Sequence, residues 1–223
     1  MPSSPQPRPI HVDESPIDLE RLRQWLPHWL QRFVPSGGGT HEDHHGKGMF
    51  GVTIFLLSES IIFFSFFFTY IVLRLTNPQW LPSGVSGPEL TTLVIINTVI
   101  LLSSSVIIQL AERALSRHHL GKFRLLWLLT ALMGTYFLVG QGMEWRQLDF
   151  GLRTGLVGAT FYILTGFHGL HVLSGVVLQV IMLVRSFLPH NYTNGHFGVS
   201  ATTLFWHFVD AIWVILFSLL YLW

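Results

Sequence analysis

Five long apolar runs leave this chain few ways to fold. They cover about 49–73, 90–110, 125–142, 156–184 and 201–223, each close to the roughly 20 residues a helix needs to cross a bilayer's ~30 Å hydrocarbon core. A water-soluble helical protein would carry polar faces on such helices, and these have almost none. Breakers separate the runs: Asn77-Pro78, Leu81-Pro-Ser-Gly-Val-Ser-Gly-Pro88, Asp149 to Gly155, and Pro189 to Gly198. Lipid offers the backbone no hydrogen-bond partners, so spanning segments without strand alternation must be helical. The expected fold is all-α: a polytopic membrane protein, a bundle of five transmembrane helices in residues 48–223, with an N-terminal amphipathic extension in residues 1–47.

Composition narrows the function classes. The net charge is +1 and no basic run occurs, which gives no footprint for nucleic acid. With no cysteine in the chain, disulfides, thiolate metal sites and thiol catalysis are excluded. No apolar N-terminal segment precedes a small-residue cleavage site, so no signal peptide is expected.

Residues 1–15 are rich in proline and serine and read as a disordered tail. Between 16 and 34, Ile17, Leu19, Leu22, Trp25, Leu26, Trp29, Leu30 and Phe33 recur at threes and fours. That spacing predicts an amphipathic helix in the membrane interface, kinked near Pro27. Ser36 to Thr40 forms a glycine-rich linker. His41-Glu-Asp-His-His45 then reads either as a solvated surface run or as a divalent-metal site.

Lysine and arginine set the expected orientation. Arg8, Arg21, Arg23, Arg32 and Lys47 precede the first run; Arg113, Arg117, Lys122 and Arg124 follow the second; Arg185 follows the fourth. With five spans these regions share one side, and only Arg74, Arg146 and Arg153 lie on the other. The positive-inside rule puts the N-terminus in the cytoplasm and Trp223 outside.

Ionisable groups nevertheless lie within the apolar runs. At a helical rise of roughly 1.5 Å per residue, Glu59 and Asp210 sit near mid-membrane and His168 near the same layer, with His171 and His207 somewhat nearer the cytoplasmic face. An ionised carboxylate at that depth costs on the order of 2.5–3.5 kcal/mol or more, so Glu59 is expected to be protonated or paired. His168 and His171 are three residues apart, as are His207 and Asp210, so each pair shares a helix face. Gly166, Gly169, Ser174 and Gly175 lie near the first pair and would let a neighbouring helix approach. Three readings follow: proton handling at Glu59, interhelical hydrogen bonds, or an intramembrane metal site with His168, His171, His207 and Glu59 as ligands. A proton-coupled transporter is disfavoured, because no inverted repeat or pair of broken helices is visible.

Three motifs then narrow the choice. Gly166-Phe-His-Gly-Leu-His-Val172, followed about forty positions later by Trp206-His-Phe-Val-Asp-Ala-Ile-Trp213, resembles subunit III of the haem–copper oxidases. Phe55-Leu-Leu-Ser-Glu-Ser60 is similar to that family's membrane-buried glutamate motif, and His196-Phe-Gly198 matches the turn before its last helix. The resemblance covers residues 48–223; residues 1–47 match no motif of the family. It implies a non-catalytic subunit with no cofactor of its own, the haem and copper residing in partner subunits. Such a subunit packs directly on subunit I, with subunit II in the same complex. It binds phospholipid and supports proton uptake and durability of turnover. The family's carbodiimide-reactive carboxyl maps onto Glu59; His168, His171, Trp206, His207 and Asp210 belong to its polar motifs. Longer members have seven helices, two of which form one wall of a lipid cleft, and five runs match a short bacterial form. Glutamate rather than aspartate at position 59 favours a cytochrome c oxidase over a quinol oxidase or a nitric oxide reductase accessory subunit. The expected home is the bacterial cytoplasmic membrane or an internal energy-converting membrane.

Overall fold

In the computed structural model, residues 43–188 and 196–223 are described, with side chains from Gly48 onward. The amphipathic segment 16–34 lies outside the described residues, as does the His41–His45 run apart from the backbone of its last three residues. Every regular element among the described residues is helical: α1 (Asp43–Thr76), α2 (Thr92–Ser116), α3 (Leu120–Gln147), α4 (Gly155–Arg185) and α5 (Phe197–Phe217), the last widening into a π-helical turn at Ser218–Leu222. All five are long and apolar enough to cross a membrane. The chain is a multi-pass membrane protein. Two compact units divide it at Thr53/Ile54, and the described part of the first is the opening of α1.

Local chemistry sets the helix ends. Asn77 closes α1 by donating both its backbone N–H and its side-chain amide to the Leu73 carbonyl, and Pro78 prevents continuation. Thr91 caps α2, its hydroxyl oxygen accepting from the Val94 N–H at 3.4 Å. Only residues 117–119 join α2 to α3, and His118 takes a left-handed conformation (φ 59°) while its N–H donates to the Leu115 carbonyl. So short a connection forces antiparallel neighbours. The loop between α1 and α2 and the loop between α3 and α4 are tied together by Asp149, whose Oδ2 accepts from the backbone and hydroxyl of Ser86.

Helix α3 exceeds its apolar run by five residues at each end, reaching Leu120 and Gln147 instead of 125 and 142. Its polar ends stay helical because they find partners: Arg124 donates to the Ser186 carbonyl at 2.5 Å, and Glu144 is buried at the opposite end.

The centre of the bundle is a tryptophan in a slot. Trp206 of α5 is fully buried, and its indole N–H donates to Ser104 Oγ of α2 at 2.8 Å. A Cβ built on Gly134 of α3 would lie 2.5 Å from the indole, and one on Gly175 of α4 would lie 2.7 Å from it. Four helices therefore meet on one side chain. Lipid tails are as apolar as the core, so such packing, rather than exclusion of water, holds the helices together. Trp213, two turns on, repeats the link by donating to Thr98 of α2 at 3.1 Å. Gly175 thus admits close approach, whereas a Cβ on Gly166 or Gly169 would meet Trp145 or Leu138 only at ordinary contact distances of 3.6 and 4.0 Å.

Candidate functional site

Glu59 meets a histidine from α4. Its Oε2 lies 3.1 Å from His171 Nε2. The other ring nitrogen, Nδ1, is 2.9 Å from the Phe167 carbonyl oxygen one turn back. A carbonyl only accepts, so Nδ1 carries a hydrogen. Nε2 then either accepts from the carboxylic acid or, protonated, donates to the carboxylate. In both states one proton lies between Glu59 and His171. The rings of Phe63 and Phe167 pack edge-on to the imidazole at 5.0 and 4.8 Å. The two side chains retain 14% (His171) and 17% (Glu59) of their exposure, which puts the pair at the rim of the bundle rather than in its sealed core.

His168 has a different environment. It is fully buried, stacks on Trp213 at 5.0 Å and meets the edge of Phe137 at 5.8 Å. Neither of its nitrogens has a hydrogen-bond partner among the described residues. Two histidines three positions apart thus serve separate contacts, one aromatic and one acidic.

His207 and Asp210 are joined through a third residue rather than directly. Ser105 of α2 stands between them: its Oγ is 3.0 Å from His207 Nδ1 and hydrogen-bonds to Asp210 Oδ2. On the far side of the ring, His207 Nε2 lies 3.2 Å from Gln109 Oε1. The shared-face reading of the sequence found the two ionisable residues and missed the hydroxyl. Its signal is present in α2, where Ser105, Gln109 and Glu112 recur at helical spacing in an otherwise apolar run.

A further carboxyl group went unread. Glu144 is only 5% exposed; its Oε1 accepts from Tyr221 at 2.5 Å and its Oε2 from Gln141 at 2.9 Å. The π-helical turn of α5 carries Tyr221, and within it the Leu219 carbonyl accepts from Tyr70 of α1. Beside Glu144, a cavity of about 150 Å³ opens among Ser86, Thr91, Gln147 and Asp149. The sequence signal was the spacing of Gln141 and Glu144, three apart on a helix ended too early.

No group of three or more histidine or acidic side chains among the described residues is placed to hold a metal ion. The candidate set His168, His171, His207 and Glu59 does not converge. His168 lies on Trp213, His171 on Glu59, and His207 on Ser105 and Gln109.

Fold and site together define a helical integral membrane protein in which Glu59, Glu144, His207 and Asp210 each meet a polar side chain of another helix. Comparison with known proteins gives the family. The model for cytochrome c oxidase subunit III matches residues 23–223, so the similarity begins well before the residue 48 expected from motifs alone. Cytochrome c oxidase subunit 3 of Synechocystis sp. is 42% identical over 192 residues, covering 85% of this chain and 82% of the relative. The same subunit of Thermostichus vulcanus is 41% identical, covering 81% and 89%. That of Ornithorhynchus anatinus is 35% identical, covering 87% and 78%. The chain belongs to the cytochrome c oxidase subunit III family.

Proposed function

We propose that this chain is the non-catalytic subunit III of an aerobic, cytochrome c-oxidising terminal oxidase. It packs on subunit I alongside subunit II, binds phospholipid, and supports proton uptake and durability of turnover. The redox centres belong to the partner subunits. It resides in a bacterial cytoplasmic or internal energy-converting membrane, with its N-terminus cytoplasmic and Trp223 outside. Supporting that orientation, the ends of α2 and α4 and the start of α3 hold most of the described cationic side chains.

The observation that carries the proton-handling part is the 3.1 Å contact between Glu59 Oε2 and His171 Nε2 at the bundle rim, which needs a proton on one of the two atoms. Glu59→Gln tests it. A glutamine amide donates to a bare Nε2 as the carboxylic acid does, so the variant keeps the neutral arrangement and loses only the exchangeable proton. The assembled Glu59→Gln oxidase is expected to form normally, with altered proton uptake or a shortened active lifetime. Wild-type turnover, pumping and inactivation rates would make Glu59 structural.

A further inference from the structure

The polar line on α2 contains a chain of hydrogen bonds whose directions can be worked out from one end. Gln109 Nε2 donates to Glu112 Oε2 at 3.5 Å. That commits the amide nitrogen to Glu112 and turns the amide oxygen toward His207, where it accepts from Nε2–H at 3.2 Å. The tautomer follows. In a neutral ring with its hydrogen on Nε2, Nδ1 is bare and accepts from the Ser105 hydroxyl at 3.0 Å. Ser105 has one hydrogen and two neighbours. Having given it to His207, it can meet Asp210 Oδ2 only as an acceptor, so in this state Asp210 supplies the O–H; with Ser105 instead donating to Asp210, the same contact is made from the other side.

One alternative keeps every contact. Asp210 gives its proton to Ser105 Oγ while Ser105 passes its own to His207 Nδ1. Ser105 then donates to the carboxylate, and His207, now imidazolium, donates through both nitrogens to Ser105 and Gln109. Each state holds three hydrogens on the carboxyl, hydroxyl and ring, and no heavy atom needs to move. We propose that Asp210, Ser105 and His207 form a proton relay in which one proton is exchanged between a buried carboxyl and a half-buried imidazole through the serine hydroxyl. Asp210 is 4% exposed and its Oδ1 has no hydrogen-bond partner among the described residues, so the relay ends in the bundle interior. Its other end points along α2 to Glu112, one turn from the end of the helix at Ser116. Gln109 fixes the ring and, as an amide, does not carry the proton on. The relay is separate from Glu59 and does not depend on the oxidase role proposed above.

Solid-state NMR of the full chain, ¹⁵N-labelled at histidine, in the lipid-embedded complex tests this. His207 is assigned by its loss in His207→Gln and, independently, by its through-space contact with Ser105. The expected wild-type spectrum at neutral pH has two His207 states, the Nε2–H tautomer and the imidazolium. Asp210→Asn and Ser105→Ala are each expected to remove the imidazolium population, and Ser105→Thr to restore it. A merely structural bridge predicts one fixed state that these substitutions leave in the same protonation form. An Nδ1–H neutral tautomer, a single wild-type state, or an imidazolium population that survives Asp210→Asn would each overturn the relay. If either variant fails to assemble, the wild-type spectrum alone still decides, since it must show both states.

Discussion

Gly175→Ala adds a single methyl group to the tightest place in the bundle. The new Cβ would lie 2.7 Å from Cε3 and Cζ3 of Trp206 and 3.4 Å from Phe205. Favourable carbon–carbon contact is at roughly 3.5–4.0 Å, so the indole must withdraw by about 1 Å. It has nowhere to go. Its far edge already occupies the space over Gly134, and its N–H is fixed on Ser104. Overpacking of this kind costs about 1–3 kcal/mol, while replacing a helical glycine returns about 0.5–1 kcal/mol of backbone entropy. The net expectation is a loss of about 1–2 kcal/mol. Gly142→Ala is the control: nothing lies within 4 Å of its Cβ, so the entropy gain acts alone and the change is neutral or slightly stabilising.

Trp206→Phe separates crowding from other causes. Alone it destabilises, through lost ring contacts and a lost interhelical hydrogen bond of about 0.6–1.7 kcal/mol. In the Gly175→Ala background it also makes room for the methyl group. The double variant should therefore be more stable than the sum of the single effects by about 1 kcal/mol or more. Reversible unfolding in mixed micelles measures all four corners of the cycle. Additive effects, or a Gly175→Ala protein as stable as Gly142→Ala, would refute the slot as the cause.

Two other outcomes are expected. Tyr221→Phe removes the donor to Glu144 Oε1 and leaves a buried carboxyl oxygen unpaired, so stability should fall by about 1–3 kcal/mol, whereas Glu144→Gln with Tyr221 intact should cost less; micelle unfolding of both variants checks the order. A reporter active only in the cytoplasm should be silent when fused after Trp223, and activity there would reverse the proposed orientation.

The hydropathy of the five runs made the fold class readable, because lipid permits only a helix for runs of that kind. Which polar residues meet was less readable. Spacing along one helix found the faces of His168, His171, His207 and Asp210, but the partners come from other helices. Ser105 and Glu59 reach their histidines across 102 and 112 positions of sequence. The shared face of His168 and His171 also splits in the structure, since neighbours 60° apart on a helix can look toward different partners. Glu144 was lost for another reason: hydropathy ended α3 at 142, and a carboxyl that is satisfied by Tyr221 and Gln141 extends a helix past the point where apolarity stops.

The distribution of close packing explains why the Glu59 pair differs from the other polar contacts. Helices α2 to α5 approach one another closely along their backbones, through glycine, serine and asparagine, as at Gly140 against Asn97. Beyond Ile54, α1 is held mainly by long side chains: Phe63 and Phe66 against Phe167, and Phe63 against Phe208. Its polar attachments are few. At one end Arg74 donates to the Trp223 carbonyl at 2.5 Å and to Tyr70, which donates to the Leu219 carbonyl. Those carbonyls belong to Trp223 and to the π-helical turn at Ser218–Leu222. At mid-depth the only polar tie from α1 among the described contacts is Glu59 to His171. Removing Arg74 would thus loosen an end that has aromatic support from Trp80 and Trp223. Removing Glu59 strips the middle of α1 of its one interhelical hydrogen bond among the described contacts and leaves apolar packing such as that of Leu56 and Phe63. The Glu59–His171 contact is therefore also part of what holds α1 in register against α4.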